Sequence, residues 1–389
     1  MWLVPSLRFP EFTEEWKRIK VSDLLDFYST NSLSWEQLEY ESNKPYNLHY
    51  GLIHVGLPTI IDLTKDKLPS IKDGNVPKKY ELCKEGDIAF ADASEDTNEV
   101  AKVVEFYNLD GKKVVCGLHT IHGRNNNGQT AKGFLGYCFS STVFHNQIRR
   151  IAQGTKIYSI NTRNFSEVFV GLPSMNEQQK IATLLRLMDE RIATQNKIIE
   201  DLKKLKSALY QEMFGSLVAP TLKLGQVAEI VKGKQVNGTE LLEQGDYYVM
   251  NGGTLPSGWL NNFNTEANTI SISEGGNSCG YVQYNTSPYW SGGHCYSLKI
   301  LHPKKTSDLY LYHFLKWQEE NIMALRIGSS LPNIQKKDLL RFPIILPTIT
   351  QQNKIVSILS AIEVKVSCEI SITKYFIKQK EYLLGQLFI

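Results

Sequence analysis

The sequence predicts an α+β chain in which two domains of irregular mixed α/β sheet alternate with two long helices that pack on each other as a coiled coil. Three observations predict this class. Residues 154–214 recur, without a gap, as residues 328–388. Each copy ends in a long apolar heptad pattern. The stretches between the copies are short β-branched and aromatic runs broken by Gly, Asn and Pro, the grammar of strands and turns.

The elements follow in chain order. The first variable block covers 1–153 and carries strand-like runs such as KVVEFYNL and KVVCGLHTI. A central region, 154–219, then reads as a loop, a short strand, a Pro stop and a helix over about 176–214, with Pro173 placed where an extended segment meets a helix. The second variable block is 220–327, with YYVMNGG, TISISEGG and GYVQYNT. The distal region, 328–389, repeats the central one, with Pro347 before a helix over about 350–388. Gly154 falls on Gly328, Ile160 on Ile334, Leu172-Pro173 on Leu346-Pro347, Gln178 on Gln352, Lys180-Ile181 on Lys354-Ile355, and Phe214 on Phe388.

The apolar seam of the first helix is Ile181, Leu185, Met188, Ile192, Ile199, Leu202, Leu209 and Met213. That of the second is Ile355, Leu359, Ile362, Val366, Phe376, Leu383 and Leu387. Gln195 and Lys206 interrupt the first seam; Glu369 and Lys380 interrupt the second at the same places. A shared period, with shared flaws, points to the helices packing on each other. Chain order leaves their direction open. Upstream, residues 19–24 resemble 222–227, so the first variable block is the longer.

Composition fits a globular chain: 389 residues, 42% hydrophobic and 21% charged, with a formal net charge of +3. Two or three units are expected at this length. Cys83, Cys116, Cys138, Cys279, Cys295 and Cys368 form no CxxC pair and read as reduced thiols of a cytoplasmic protein. The opening MWLVPSLRFPEF is no secretory leader, and no apolar run nears the roughly 20 residues that cross a bilayer.

The loops carry groups suited to DNA. GRNNNGQTAKG holds Arg124, Asn125, Asn126, Asn127, Gln129 and Lys132. The second block offers Lys232, Lys234, Gln235, Asn251, Ser273, Glu274, Asn277, Ser278 and, at its end, Arg326. Amides pair with adenine, Arg and Lys with guanine, and Glu accepts from cytosine. Lys102, Lys112, Lys113, Arg149, Arg150, Lys304 and Lys305 are candidates for holding phosphates.

Catalytic constellations are missing from the string. There is no GxxxxGK[ST] loop, and SEGGNSCG lacks the Lys-Ser/Thr. Ser287-Pro288-Tyr289-Trp290 lacks the amide or acid and the second Pro of an amino-methyltransferase motif. Glu15-Trp16-Lys17 and Glu363-Val364-Lys365 match ExK without a preceding Pro-Asp. His119 and His122 do not form HExxH, and no Cys/His set has zinc spacing, so neither a catalytic residue nor a metal ligand is expected.

LPSMNEQQKIATLL with its echo LPTITQQNKIVSIL, the opening LRFPEFTEEWKRIKVSDLL, CKEGDIAFADAS, and YYVMNGG with ISEGGNSCGYV resemble the specificity subunits of type I restriction-modification systems. The likeness covers essentially the whole chain. It implies two target-recognition domains separated by an antiparallel helix pair. Each domain would bind one half of a bipartite, asymmetric site in double-stranded DNA. It also implies two methylation subunits, which bind S-adenosylmethionine and methylate adenine N6, and restriction subunits that use ATP and Mg2+ to translocate and cleave. No cofactor of this chain's own is implied. CKEGDIAFADAS departs from relatives in having Asp92, Glu95 and Asp96 where Arg or Lys often follows the strand. A helical protein–protein adaptor with no role on DNA is the competing reading.

Overall fold

A computed structural model describes residues 4–40, 45–328 and 330–389; Ser329, within the second copy of the repeat, lies outside them. The chain forms two compact units, one drawn from Met1–Asn196 and Ser371–Ile389, the other from Lys197–Ile370. Each unit therefore takes one variable block and half of each long helix, a division the linear boundaries at 154, 220 and 328 do not follow.

In the first unit, Asp26–Tyr28, Thr120–Arg124, Ile88–Ala91, Val103–Asn108 and Ile60–Asp62 form a five-stranded sheet in that order. Its pairs are antiparallel except the last, which is parallel. A four-stranded sheet runs Val114–Cys116, Tyr46–Leu48, Ser70–Ile71, Leu38–Glu39. Among the described residues two ribbons accompany these sheets: Lys17–Lys20 with Phe169–Leu172, and Ala93–Ser94 with Tyr158–Ser159. The core is aromatic: Trp16, Phe90, Phe134, Phe139, Phe144 and Phe165 pack with Ile181 and Leu185 of the first long helix and Leu387 and Phe388 at the end of the chain. Glu105 lies fully within this unit and accepts the backbone N–H groups of Gly133 and Gly136 at the start of helix Phe134–Phe139. Burial pushes its carboxyl up to about 7 despite those bonds.

The second unit repeats the scheme in smaller form. Ala228–Lys232, Cys295–Ile300, Thr269–Ser273 and Val282–Asn285 make an antiparallel four-stranded sheet. Beside it stand Trp259–Leu260, Tyr247–Met250 and Trp290–Ser291. The ribbon is Thr221–Lys223 with Pro343–Ile345. Its core gathers Ile270, Ile272, Tyr310, Phe314 and Ile322 with Tyr210 and Phe214 of the first long helix and Ile355 and Leu359 of the second. The parallel strand Ile60–Asp62 and the short helix Tyr50–His54 belong to the extra length of the first block.

The long helices are Met175–Gly215 and Ile349–Gln386, 41 and 38 residues long. Both start on a hydroxyl cap after the Pro stop: Ser174 Oγ accepts from Glu177 N, and Thr348 Oγ1 accepts from Gln351 N. They pair antiparallel. In the first unit Lys380 meets Asp189 at 2.5 Å and Arg191 covers the ring of Phe376. In the second, Lys206 meets Glu363 at 2.5 Å. Lys206 lies 17 residues after Asp189, and Glu363 lies 17 residues before Lys380, so both pairs keep one antiparallel register. The seam positions are all buried or half-buried, and so are the polar interruptions Gln195, Lys206, Glu369 and Lys380. Those interruptions are part of the packed seam rather than gaps in it. Among the described residues no helix is long and apolar enough to cross a membrane.

Candidate nucleic-acid interface

One backbone frame is built twice. In the first unit Asp92 N donates to His119 O, and Asp92 O accepts from Ile160 N, at 3.1 and 2.9 Å. In the second, Glu274 N donates to His294 O, and Glu274 O accepts from Ile334 N, at 2.9 and 2.8 Å. Gly117 N bonds Leu48 O as Gly292 N bonds Met250 O. Ala101 N bonds Ala91 O as Gly280 N bonds Ser273 O. Ala101 and Gly280 share a left-handed backbone, φ 59° and 94°. Gly280 needs its lack of a Cβ as well, because that atom would lie 2.8 Å from the Met323 backbone. An acid and a histidine thus occupy the same corner of both sheets.

What surrounds the corner differs. In the second unit Glu274 takes a salt bridge from Lys232 at 2.8 Å and the hydroxyl of Tyr296 at 2.8 Å. Asn251 accepts from His294 N, and a Cβ on Gly293 would strike Gln235. Lys232, Glu274, Gln235 and Asn251 therefore converge, as four short Gly-rich loops approach backbone to backbone. Lys234 and Gln235 are exposed, as are Asn277 and Arg326; Ser278 is half-buried. Ser273 is a correction: it is buried, its hydroxyl donates to Gly252 O at 2.6 Å, and it tethers the loop below the surface.

The first unit needs more revision. Arg124 does not present its guanidinium to solvent. It is buried and forked onto Asp87 through Nε and Nη2, both at 2.8 Å, with Glu81 at 2.6 Å, the Leu82 carbonyl at 2.8 Å and the Tyr28 ring beneath it. Asn125 bonds Thr130 and caps Asn127 N, while Asn126 bonds Asp26 and Tyr28, so these amides tie the loop to itself and to strand Asp26–Tyr28. Lys132 pairs with Glu85 over Tyr107, and Gln129 gives its carbonyl to Gln178. Lys102 bridges Glu99 and the His54 carbonyl. Of the proposed phosphate holders, Lys112 bonds Leu63 O and Arg149 bonds Asn98 and Asn146.

Sequence reasoning missed the groups that do line this corner. His119 and Asp92 are 3.2 Å apart, and His119 meets the edge of Tyr50. Tyr50 packs at a tilt against His49, His49 likewise against Trp35, and His54 Nε2 donates to Ala93 O. Burial and the neighbouring His119 push His49 down, toward its neutral form. A cleft of 630 Å³ opens here, lined by Tyr50, His54, Glu95, Asp96, Glu99 and His119 among others. Carboxylates accept from the exocyclic amines of cytosine and adenine, and the rings offer stacking faces. The available signal was the match of CGLHT (116–120) to SGGHC (291–295), hidden because the offset between the blocks changes along the chain. Among the described residues, Cys83, Cys116 and His122 bring three ligand atoms within 4.8 Å of one another.

The family model for the type I restriction modification DNA specificity domain matches residues 106–204 and 220–387. This chain belongs to that family. As a member of the DNA-specificity family it falls in a non-catalytic class of proteins. A Mycoplasma pneumoniae protein assigned as a type I specificity subunit is 38% identical over 144 residues, 37% of this chain and 38% of the relative. A Mycoplasma genitalium counterpart is 36% identical over 111 residues, 28% of this chain and 29% of the relative. These matches thus span about a third of those two proteins. A Methanocaldococcus jannaschii protein assigned as a type I restriction enzyme specificity subunit is 23% identical across 91% of this chain and 88% of its own length. The fold is that of the solved type I S subunit from M. genitalium, at a TM-score of 0.65 and 19% identity, covering 99% of each chain. A chain from a solved type I restriction-modification assembly follows at 0.59, with 17% identity and 95% and 96% coverage.

Proposed function

We propose that each unit reads one half of a bipartite, asymmetric target in double-stranded DNA, and that the paired helices set the distance between the halves. Partner subunits would do the chemistry: two methylation subunits using S-adenosylmethionine on adenine N6, and restriction subunits using ATP and Mg2+. The cytoplasm is where such a complex would meet its DNA.

The observation that carries this reading is the twice-built corner. The same backbone bonds hold Asp92 with His119 and Glu274 with His294, while the side chains around them differ completely. A common frame with different readers is what two unlike half-sites require. Exposed apolar side chains on the long helices, among them Leu187, Leu205, Val364 and Tyr375, support docking of partner subunits there.

The test is to assemble the chain with type I methylation subunits and measure binding to target DNA against salt. Affinity should fall linearly with salt on logarithmic axes, as phosphate neutralisation releases counterions. The chain alone should transfer no methyl group. Affinity unchanged from low to physiological salt, or methyl transfer by the lone chain, would overturn the reading.

A further inference from the structure

Two thiols and an imidazole from separate parts of the chain meet inside the first unit. Cys83 lies just before strand Ile88–Ala91, Cys116 ends strand Val114–Cys116, and His122 sits within Thr120–Arg124. The sulfurs of Cys83 and Cys116 are 3.6 Å apart, and a ring nitrogen of His122 lies within 4.8 Å of both. The exposures are 6%, 2% and 0%. Nε2 of His122 is bound to Asp87 at 2.7 Å, while its Nδ1 is buried with no hydrogen-bond partner. A buried nitrogen with no partner has lost its hydration with nothing in return, so it favours a ligand that can take its lone pair. A ring held by a carboxylate at one nitrogen, with the other left free, is oriented as metal-bound histidines are.

We propose that Cys83, Cys116 and His122 bind one zinc ion, with Asp87 as the positioning residue of the histidine. Sulfurs each about 2.3 Å from a tetrahedral zinc stand roughly 3.8 Å apart, close to the separation seen. A disulfide would need them at about 2.05 Å. On binding, the hydrated ion gives up all but one of its waters, both thiols release their protons to solvent, and two sulfur–zinc bonds and one nitrogen–zinc bond form, with the remaining water as fourth ligand. Two thiolates and a dication cancel, so the buried centre gains no net charge. That balance matters here, because Arg124 is already matched by Asp87 and Glu81. A monovalent ion would leave an uncompensated negative charge, and sulfur ligands disfavour magnesium and calcium. The ion would tie Cys83, the end of Val114–Cys116 and the strand of His122, and so brace the loop that carries His119.

The test uses the full-length chain, reduced, stripped with chelator and given zinc alone. One zinc per chain should remain after desalting. Cys83→Ser and Cys116→Ser should each weaken zinc by more than the factor of about 10–100 expected for losing an outer-shell partner such as Asp87. Cys138→Ser removes a buried thiol elsewhere and should change nothing. Should the serine variants fail to fold, cobalt settles the matter in the unaltered chain, where two thiolates must give a near-ultraviolet charge-transfer band. Zinc well below one per chain, a cobalt spectrum without that band, or a Cys83–Cys116 disulfide whose reduction restores no metal binding would overturn the proposal.

Discussion

Gln178 and Gln352, 174 positions apart, make the same three hydrogen bonds in their separate units. Gln178 accepts from Ala131 N and donates to the carbonyls of Gln129 and Pro173, at 2.8, 3.1 and 2.9 Å. Gln352 accepts from Ser307 N and donates to the carbonyls of Lys305 and Pro347, each at 2.8 Å. Both side chains are buried. A helix thereby clamps a loop of the neighbouring block through a residue that both accepts and donates. Substituting Gln178→Ala should cost roughly 2–4 kcal/mol, since it strands three backbone groups. Gln178→Glu should be no milder, because a carboxylate has no donor for the two carbonyls. Urea unfolding of the first unit checks both; a glutamate as stable as glutamine would refute the clamp.

The two units should respond to pH in opposite directions. Glu105, with its carboxyl near 7 rather than 4.5, favours its neutral form in the fold. Its stabilisation is complete below about pH 4.5 and is lost as pH rises through about 7, a swing of roughly 3 kcal/mol. His313 is pushed down to about 4 by burial, which outweighs the attraction of Glu363. Neutral His313 bonds Tyr210 and Ser360. Its contribution is present above pH 6.5 and is lost as pH falls toward 4. Native-state hydrogen exchange should show the first unit loosening as pH rises from about 4.5 to 7 and the second loosening as pH falls from about 6.5 to 4. Glu105→Gln should flatten only the first trend.

How much of this was legible in the sequence depends on how local the signal was. The heptads, the Pro stops and the repeated glutamine lie within one helix or its approach, so periodicity and alignment find them. Arg124 was not legible as a buried group. Its loop reads as a DNA-contacting one, but the carboxylates that hold it come from Asp87 and Glu81, 37 and 43 residues away. The cleft around His119 was missed for a related reason: Trp35, His49, Tyr50 and Asp92 meet only once the strands pair. Cys83, Cys116 and His122 have no zinc spacing because three separate strands or turns supply them.

The charged pairs inside the helix seam should set register more than stability. Lys206→Leu alone leaves half-buried Glu363 without its cation and should destabilise the second unit by about 1 kcal/mol. Replacing both Lys206 and Glu363 by Leu should restore stability or raise it. A double-mutant cycle by chemical denaturation measures the coupling, and additive single effects would rule out the pair as a fixing contact.

The helix pair should act as the ruler. At about 1.5 Å per residue, each helix runs roughly 60 Å. One heptad inserted into both helices at matched positions keeps the apolar seam and adds roughly 10 Å. That is about three base pairs at roughly 3.4 Å each. The lengthened chain should prefer a longer spacer between unchanged half-sites, with some affinity lost to the accompanying rotation of the DNA. A variant that keeps its original spacer would place the ruler elsewhere.

The central claim is that each unit reads its own half of the target. The direct measurement is to exchange residues 220–327 for the matching block of a relative and sequence the methylated sites of cells carrying the hybrid with its methylation subunits. One half of the methylated motif should change and the other half should persist base for base. A motif altered in both halves, or in neither, would contradict that claim.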